Sequence, residues 1–248
     1  LEEGGVNGHS SLCRDPEWFL QEANRLPPEP DLPNVTAAFR RRVRDTAWHY
    51  TTTHLAALLF PFYRTHRPHS PLGEALGWGW RYLTSNRRQR DAERILGEVA
   101  GQRFFLFPLQ LSGDYQIRAH SPFPSMPSAA GYVLESFAAH APADAHLLVK
   151  GHPLDASFFN WGRFLRRRAG RLAIGGRVHF VDGGDLEQLA ANTAGMICVN
   201  STSATLALAV DTPVCILGDA IYRMPGLTFG GHLDNFWTDP QPPRPGLY

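Results

Sequence analysis

The sequence of 248 residues has few cysteines, almost no net charge and no long uninterrupted apolar segment. Its cysteines, Cys13, Cys198 and Cys215, are too few and too widely spaced for a disulfide framework or a zinc site. The formal net charge of +1 creates no whole-molecule field to attract nucleic acid, so we predict no nucleic-acid partner. No apolar stretch approaches the ~20 residues of a transmembrane helix, and the first residues show no signal-peptide pattern. These absences favour a protein of the reducing cytoplasm.

The composition is that of a folded, globular chain. Hydrophobic residues make up 43% of the sequence and charged residues 19%, which excludes the polar, highly charged composition of disordered chains. The 20 prolines and 23 glycines indicate many turns between short elements, which argues against a helical bundle or a coiled coil.

Residues 101–218 contain five largely apolar runs of strand length, separated by helical stretches. The runs are residues 104–107, 146–149, 178–181, 196–199 and 214–217, and the helices are expected near 126–140, 156–169, 186–194 and 202–210. Apolar runs without polar alternation are typical of strands covered on both faces, as in a parallel sheet. The pattern predicts an α/β fold, with a Rossmann-type parallel sheet flanked by helices.

The segments on either side of this domain differ from it in character. Residues 1–100 are predicted to be loop followed by a mainly helical connecting region, with the longest helix over about 36–63. Residues 219–248 are predicted to form a C-terminal extension that packs back toward the N-terminal region. Because the chain begins with Leu1 and not with Met, we expect most of an N-terminal domain to precede it.

Polar loops follow four of the apolar runs, at residues 110–116, 150–153, 200–203 and 219–222. In open parallel sheets, ligands bind beyond the carboxyl ends of the strands, where loops lead into helices. These four loops are therefore the candidate site.

The loop after the fourth run contains Asn200 and three consecutive hydroxyl residues, Ser201, Thr202 and Ser203. Unpaired N–H groups at a helix start, together with small hydroxyl groups, suit a phosphate. The alternative is an ordinary helix N-cap, which requires only one hydroxyl.

The loop after the second run contains Lys150, the only lysine of the chain, followed by His152 and Pro153. A cation and an imidazole here would neutralise a departing nucleotide phosphate by charge or by proton donation. The alternative is a solvent-exposed turn, which the adjacent glycine and proline favour.

The loop after the first run contains Asp114, between Gln110 and Gln116. A carboxylate in this position would serve as a nucleophile or general base at an anomeric carbon. The alternative is an Asx-type turn.

Arginines are grouped within residues 40–44, 87–90 and 166–171, all on expected helices. Such groups usually form solvated faces, and the alternative is attraction to an anionic membrane surface. Among the histidines, His9 and His120 are expected in loops that face the cleft, and no spacing resembles a metal site.

Together these segments resemble the capsule polysaccharide biosynthesis and export proteins of the KpsS type, which are related to the KpsC type. The resemblance runs almost end to end. It is carried by residues 4–11, 104–110, 114–117, 120–123, 150–153, 200–202, 220–222 and 225–229.

The resemblance implies a GT-B-like architecture of two Rossmann-type domains and a retaining β-Kdo transferase that uses CMP-Kdo. The implied acceptor is lysophosphatidylglycerol or its growing Kdo linker, at the cytoplasmic face of the inner membrane. The protein would thus be peripheral to that membrane and a potential member of a capsule assembly or export complex. No metal or other cofactor is implied.

The resemblance also implies roles for individual residues. The pairs His152-Pro153 and Ser201-Thr202 would hold the phosphate and ribose of CMP, and Asp114 would be the nucleophile of a double displacement. His152 is the second catalytic candidate. The other substrate-binding candidates are Gln110, Gln116, His120, Lys150, Asn200, Ser203 and Tyr222, and the acceptor-side candidates are Asn7, His9 and Ser10.

The chain also departs from the family pattern. Gly151 stands where the family often has a second histidine, and the helix after Ser201 lacks an expected glycine. The acidic residue of the family's N-terminal domain has no counterpart, and Glu2 and Glu3 do not replace it. Two other functions stay open, a non-catalytic export or assembly component and a GT-B transferase that uses another CMP- or UDP-sugar.

Overall fold

In a computed structural model of the chain, the described residues are 13–22, 44–45, 48, 51–52, 71–111, 114–155 and 157–248. All five predicted apolar runs form strands of one parallel sheet with the order β3-β2-β1-β4-β5. The strands are β1 (Phe104–Pro108), β2 (His146–Lys150), β3 (Val178–Val181), β4 (Gly195–Cys198) and β5 (Val214–Ile216). The predicted α/β fold is confirmed.

In the described part of the chain, three helices precede β1, at least one helix lies between each pair of consecutive strands, a 3₁₀ turn also precedes β3, and one helix follows β5. The helices are α1 (Pro16–Glu22), α2 (Pro71–Leu83), α3 (Ser85–Val99), α4 (Tyr115–Ala119), α5 (Met126–His140), α6 (Trp161–Arg171), α7 (Leu186–Asn192), α8 (Ala204–Leu208) and α9 (Leu233–Phe236), with a 3₁₀ turn at Gly175–Arg177. None of the helices described is long and apolar enough to span a membrane.

Apolar cores cover both faces of the sheet. On one face, Phe137 of α5, Leu165 of α6 and Phe236 of α9 pack with Phe105 of β1. On the other face, helices α3, α7 and α8 cover strand residues that include Leu106 and Leu148. Burial on both faces explains why the strands are continuously apolar in the sequence.

Helix boundaries follow the caps. Helix α5 has the predicted bounds because the Ser125 side chain accepts from the Ser128 amide at its start. Helix α6 begins at Trp161, not near 156, because the Asn160 side chain accepts from the Arg163 amide at 2.8 Å. The helix predicted over 36–63 lies mostly outside the described residues.

The C-terminal segment contacts both the domain and α1. Trp237 is fully buried in the core, and its indole N–H donates to the Ser136 hydroxyl at 2.8 Å. Near the chain end, Arg244 forms an ion pair with Glu17 at 2.5 Å. Residues 219–248 thus link the sheet to α1.

Candidate functional site

The backbone pairing of the sheet continues into the loops at its carboxyl edge. The Leu109 amide donates to the Lys150 carbonyl at 2.8 Å, and the Gly151 amide donates to the Val181 carbonyl at 2.8 Å. The positions of the first polar residues after β1 and β2 are therefore set by the strands themselves.

Gln110 and Asn200 are buried and hold the loops after β1 and β4 together. The Gln110 amide nitrogen donates to Asn200 Oδ1 at 3.0 Å, and the Asn200 backbone N–H donates to Gln110 Oε1 at 3.2 Å. Asn200 Nδ2 also donates to the carbonyls of Gln116 at 2.9 Å and His120 at 3.1 Å. Both side chains thus have a structural role, and their contact with a substrate stays a prediction.

The segment at His120 also packs against the loop after β5. The His120 carbonyl accepts from the Asp219 amide at 2.7 Å, and a Cβ atom added to Gly218 would lie 2.9 Å from that carbonyl oxygen. The rings of His120 and Tyr115 meet edge to face, with centroids 6.1 Å apart. The end of helix α4 is thereby attached to the loops that follow β4 and β5.

Asp114 is the N-cap of α4. Its Oδ1 accepts a hydrogen bond from the Gln116 amide at 3.0 Å. Its local role is therefore the Asx-type turn that the sequence offered as the alternative. The cap orients the carboxylate, and the side chain remains partly exposed at the carboxyl edge.

Lys150 ends β2 with only 7% of its surface exposed. Burial lowers the pKa of its ammonium group and Arg81 adds to this, whereas Asp182 and Asp185 partly oppose the shift. No described residue forms a hydrogen bond or ion pair with the ammonium group. A nearly buried cation without a contacting carboxylate is a natural binding partner for an anion.

His152 lies close enough to Asp114 and Lys150 for their charges to act on its imidazole. Burial lowers the His152 pKa and Lys150 contributes in the same direction, whereas Asp155 and Asp114 raise it. The Leu154 amide donates to His152 Nδ1 at 3.1 Å, so the proton of the neutral ring is on Nε2. His152 can therefore donate a hydrogen bond from Nε2.

Asp182, an acidic residue that the sequence interpretation missed, lies next to the loop of His152. It follows β3 and accepts from Arg81 of α2 at 2.9 Å and from Arg88 of α3. A Cβ atom on Gly151 would lie 3.3 Å from the Asp182 carboxylate. The rule that ligands bind after strand ends applies to the third run as well, and it would have identified Asp182.

The hydroxyl residues after β4 bond mainly to one another. The Ser203 hydroxyl donates to the Ser201 hydroxyl at 2.8 Å, and the Tyr222 hydroxyl donates to the Ser201 carbonyl. Burial raises the pKa of Tyr222 well above its usual value. Helix α8 then begins at Ala204, with Ser203 as its N-cap and Thr202 exposed before it.

The structure thus places Asp114, Lys150 and His152 at the ends of two neighbouring strands, where the charges of Asp114 and Lys150 act on the His152 imidazole. Asn200 joins the loop of Ser201 to the α4 segment through backbone carbonyls. Pro153 is exposed beside His152. The acceptor-side candidates Asn7, His9 and Ser10 lie outside the described residues.

Comparison with known proteins places this geometry in context. Residues 1–248 match the family described as capsule polysaccharide biosynthesis protein. The capsule polysaccharide export protein KpsS of Escherichia coli is 32% identical over 243 residues, which cover 96% of this chain and 61% of KpsS. The capsule polysaccharide modification protein LipB of Neisseria meningitidis serogroup A is 33% identical over 254 residues, which cover 100% of this chain and 61% of LipB. The chain spans about three fifths of the length of these relatives.

Solved structures show weaker likenesses. The β-Kdo 2,7-transferase KpsC of Thermosulfurimonas dismutans is 21% identical, with a TM-score of 0.40 over 58% of this chain and 44% of KpsC. Anabaena HepE, solved in complex with UDP-glucose, is 17% identical, with a TM-score of 0.34 over 50% of this chain and 33% of HepE.

Proposed function

Because the chain belongs to the capsule polysaccharide biosynthesis protein family, we propose that it is part of a retaining glycosyltransferase of the capsule pathway. The donor is CMP-Kdo, and the acceptor is lysophosphatidylglycerol or a Kdo-linker glycolipid at the inner membrane. A second Rossmann-type domain completes a GT-B architecture, and no metal takes part.

The observation that carries the proposal is the group of Asp114, Lys150 and His152 at one edge of the sheet. Lys150 ends β2, His152 follows β2 and Asp114 follows the adjacent strand β1, and the charges of Asp114 and Lys150 both act on the His152 imidazole. A carboxylate nucleophile near groups that bind a phosphate is what a double displacement on a nucleotide sugar requires.

Lys150 and His152 hold the CMP phosphate. The ammonium group supplies charge, and His152 Nε2 donates a hydrogen bond to a phosphate oxygen, which together stabilise the departing CMP. The loop from Ser201 to Ser203, with Tyr222 behind it, contacts the cytidine side. Pro153 limits the freedom of the loop after His152.

Asp114 performs the first displacement. Its Oδ2 attacks the anomeric carbon of Kdo, the bond from that carbon to the CMP oxygen breaks, and CMP departs with the bonding electrons. An acceptor hydroxyl then attacks the same carbon, its proton passes to a general base, and the Asp114 carboxylate is released. Two inversions give net retention.

The test is transfer by an Asp114→Asn variant. Asparagine caps helices as well as aspartate does, so the fold and CMP binding should persist. Without a nucleophilic carboxylate, formation of Kdo-lipid and release of CMP should fall by at least ~1,000-fold. Intact mass spectrometry of the wild-type protein with CMP-Kdo should detect the covalent Kdo adduct, which the variant should lack.

Asp15→Asn is the matched control. Asp15 accepts from the Glu17 amide at 3.0 Å, which is the same contact that Asp114 makes with Gln116. This control should keep wild-type transfer. Transfer by Asp114→Asn at the wild-type rate would contradict the proposed nucleophile.

The name of the E. coli relative supports a second candidate, a capsule export component that binds a sugar nucleotide without turnover. If this candidate is right, CMP-Kdo should raise the unfolding temperature of the wild-type protein, and no CMP should be released. The donor itself is tested by thermal unfolding with CMP or UDP, because a ligand at 100 times its Kd adds about 2.7 kcal/mol to the unfolding free energy.

A further inference from the structure

Helix α6 has two opposed stripes of side chains. Trp161, Leu165 and Ala169 are buried against the sheet. Arg163, Arg167 and Arg171 are exposed on the other side, four residues apart, with Arg166 beside them. This spacing aligns the guanidinium groups along ~12 Å of the helix.

The exposed arginines of α6 are not neutralised by the described part of the chain. Arg168 forms an ion pair with Glu135 of α5, and it is the only arginine of α6 with a carboxylate partner among the described residues. The guanidinium groups of Arg163, Arg166, Arg167 and Arg171 form no ion pair or hydrogen bond with the described part of the chain. Four adjacent positive charges therefore face outward.

Exposed aromatic side chains stand next to these charges. Phe158 is 68% exposed and Phe159 is 42% exposed, and Phe159 packs on Trp161 with ring centroids 4.7 Å apart. An open groove of about 550 Å³ joins the aromatic and basic parts, and it is lined by Phe159, Asn160, Arg163, Phe164, Arg167, Arg168 and Arg171. We call residues 158–171 the Arg–Phe surface.

We propose that the Arg–Phe surface docks on an anionic phospholipid bilayer. Guanidinium groups bind lipid phosphates in pairs of hydrogen bonds, and each basic residue near such a bilayer increases binding about fivefold. Exposed phenylalanines beside a basic helical stripe add apolar contact at the boundary between headgroups and acyl chains. The observations favour a bilayer because Phe158 and Phe159 are exposed beside the basic stripe, where they can enter the apolar boundary below the headgroups.

The Arg–Phe surface is directly connected to the candidate site. The Asp155 amide donates to the His152 carbonyl at 3.0 Å, and the Asp155 carboxylate accepts from the Trp161 indole at 3.2 Å. Docking at α6 would thus hold the His152 loop beside the membrane that contains a lipid acceptor. The proposal rests on the proposed function only for that acceptor, because vesicle binding is measured without donor or turnover.

The experiment is co-sedimentation of the full chain with vesicles. Wild-type protein should bind vesicles of phosphatidylglycerol and phosphatidylethanolamine, and it should not bind phosphatidylcholine. The variant Arg163→Glu/Arg167→Glu should lose at least ~25-fold in vesicle affinity, from about fivefold for each arginine. Circular dichroism and Tm should stay unchanged because both side chains are exposed.

Arg87→Glu/Arg90→Glu is the matched control. Arg87 and Arg90 are exposed on α3, which covers the opposite face of the sheet. Each arginine-to-glutamate change removes two units of charge, so both double variants go from +1 to −3. The control should bind vesicles within ~2-fold of wild type, because charges far from the bilayer are screened.

A second variant tests the apolar contact. Phe158→Ser should weaken binding in high salt, where screening reduces the contribution of the arginines. Asp114→Asn should bind vesicles as wild type does, so failure of the transfer mechanism leaves this result intact.

Three outcomes would overturn the proposal. One is the absence of wild-type binding to anionic vesicles, and another is an equal loss in both double variants, which would mean non-specific attraction. In the third outcome, the protein binds an RNA oligomer and not vesicles, and Arg163→Glu/Arg167→Glu abolishes the RNA binding. The surface would then serve a different partner.

Discussion

Gln110 and Asn200, 90 residues apart in the chain, exchange two hydrogen bonds at the carboxyl edge of the sheet, at 3.0 and 3.2 Å. The side-chain N–H groups of Asn200 donate to carbonyls of the α4 segment. One buried side chain therefore fixes the position of the loop after β1 relative to the loop after β4. This arrangement orients Asp114 relative to the loop of Ser201, and mutations can test its strength.

The first prediction concerns Asn200→Ala. This change leaves buried amide and carbonyl groups without partners, so the free energy of unfolding should fall by about 1–3 kcal/mol. Urea denaturation measures the change. Asn192→Ala, which removes an exposed side-chain hydrogen bond to the Gln188 carbonyl, should stay within ~0.5 kcal/mol of wild type. Equal effects of the two changes would mean that the Asn200 contacts add little.

The second prediction contrasts two glycines. A Cβ atom at Gly218 would lie 2.9 Å from the His120 carbonyl oxygen and 3.2 Å from the Val199 carbonyl oxygen, so Gly218→Ala should destabilise the fold by about 1–3 kcal/mol. Gly97 is exposed on α3 and no described atom lies within 4 Å of an added Cβ, so Gly97→Ala should stabilise the fold by about 0.5–1 kcal/mol. Thermal unfolding should show Tm shifts of opposite sign, and a common sign would contradict the close packing at Gly218.

The third prediction concerns Lys150→Met. Burial lowers the pKa of folded Lys150 below its ordinary value of 10.5, so the unfolded chain binds this proton more tightly. The contribution of Lys150 to stability is therefore greatest above pH 10.5 and falls as the pH drops through the folded pKa. Lys150→Met should be more stable than wild type at neutral pH, and the difference should shrink toward pH 10.5. Unfolding across this range measures it, and a pH-independent difference would contradict the shifted pKa.

The same variant tests the anion site. Loss of the charge should weaken CMP binding about 10- to 100-fold in calorimetric titration, as expected for a hydrogen bond to a charged group. Lys150→Arg retains the charge and should bind CMP more tightly than Lys150→Met does. If Lys150→Met binds CMP as wild type does, the phosphate lies elsewhere.

Local patterns in the sequence were sufficient for the strands and for several helices. All five apolar runs became strands because continuous burial on both faces requires continuous apolar residues. The predicted bounds of helix α5 also agreed with the structure, because its N-cap, Ser125, directly precedes the helix in the chain. Capping and burial periodicity depend on near neighbours, which a sequence displays directly.

The sequence by itself therefore determined the α/β sheet and the loops in which Asp114, Lys150 and His152 lie. Only the tertiary structure decided that Asn200 binds carbonyls of the α4 segment and that Asp182 forms ion pairs with Arg81 and Arg88. It also decided that no carboxylate of the described residues contacts the ammonium group of Lys150. The Asn200 and Asp182 contacts join residues about 80 to 101 positions apart. They depend on how the crossover helices pack around the sheet, and the spacing of residues along the chain does not encode that packing locally.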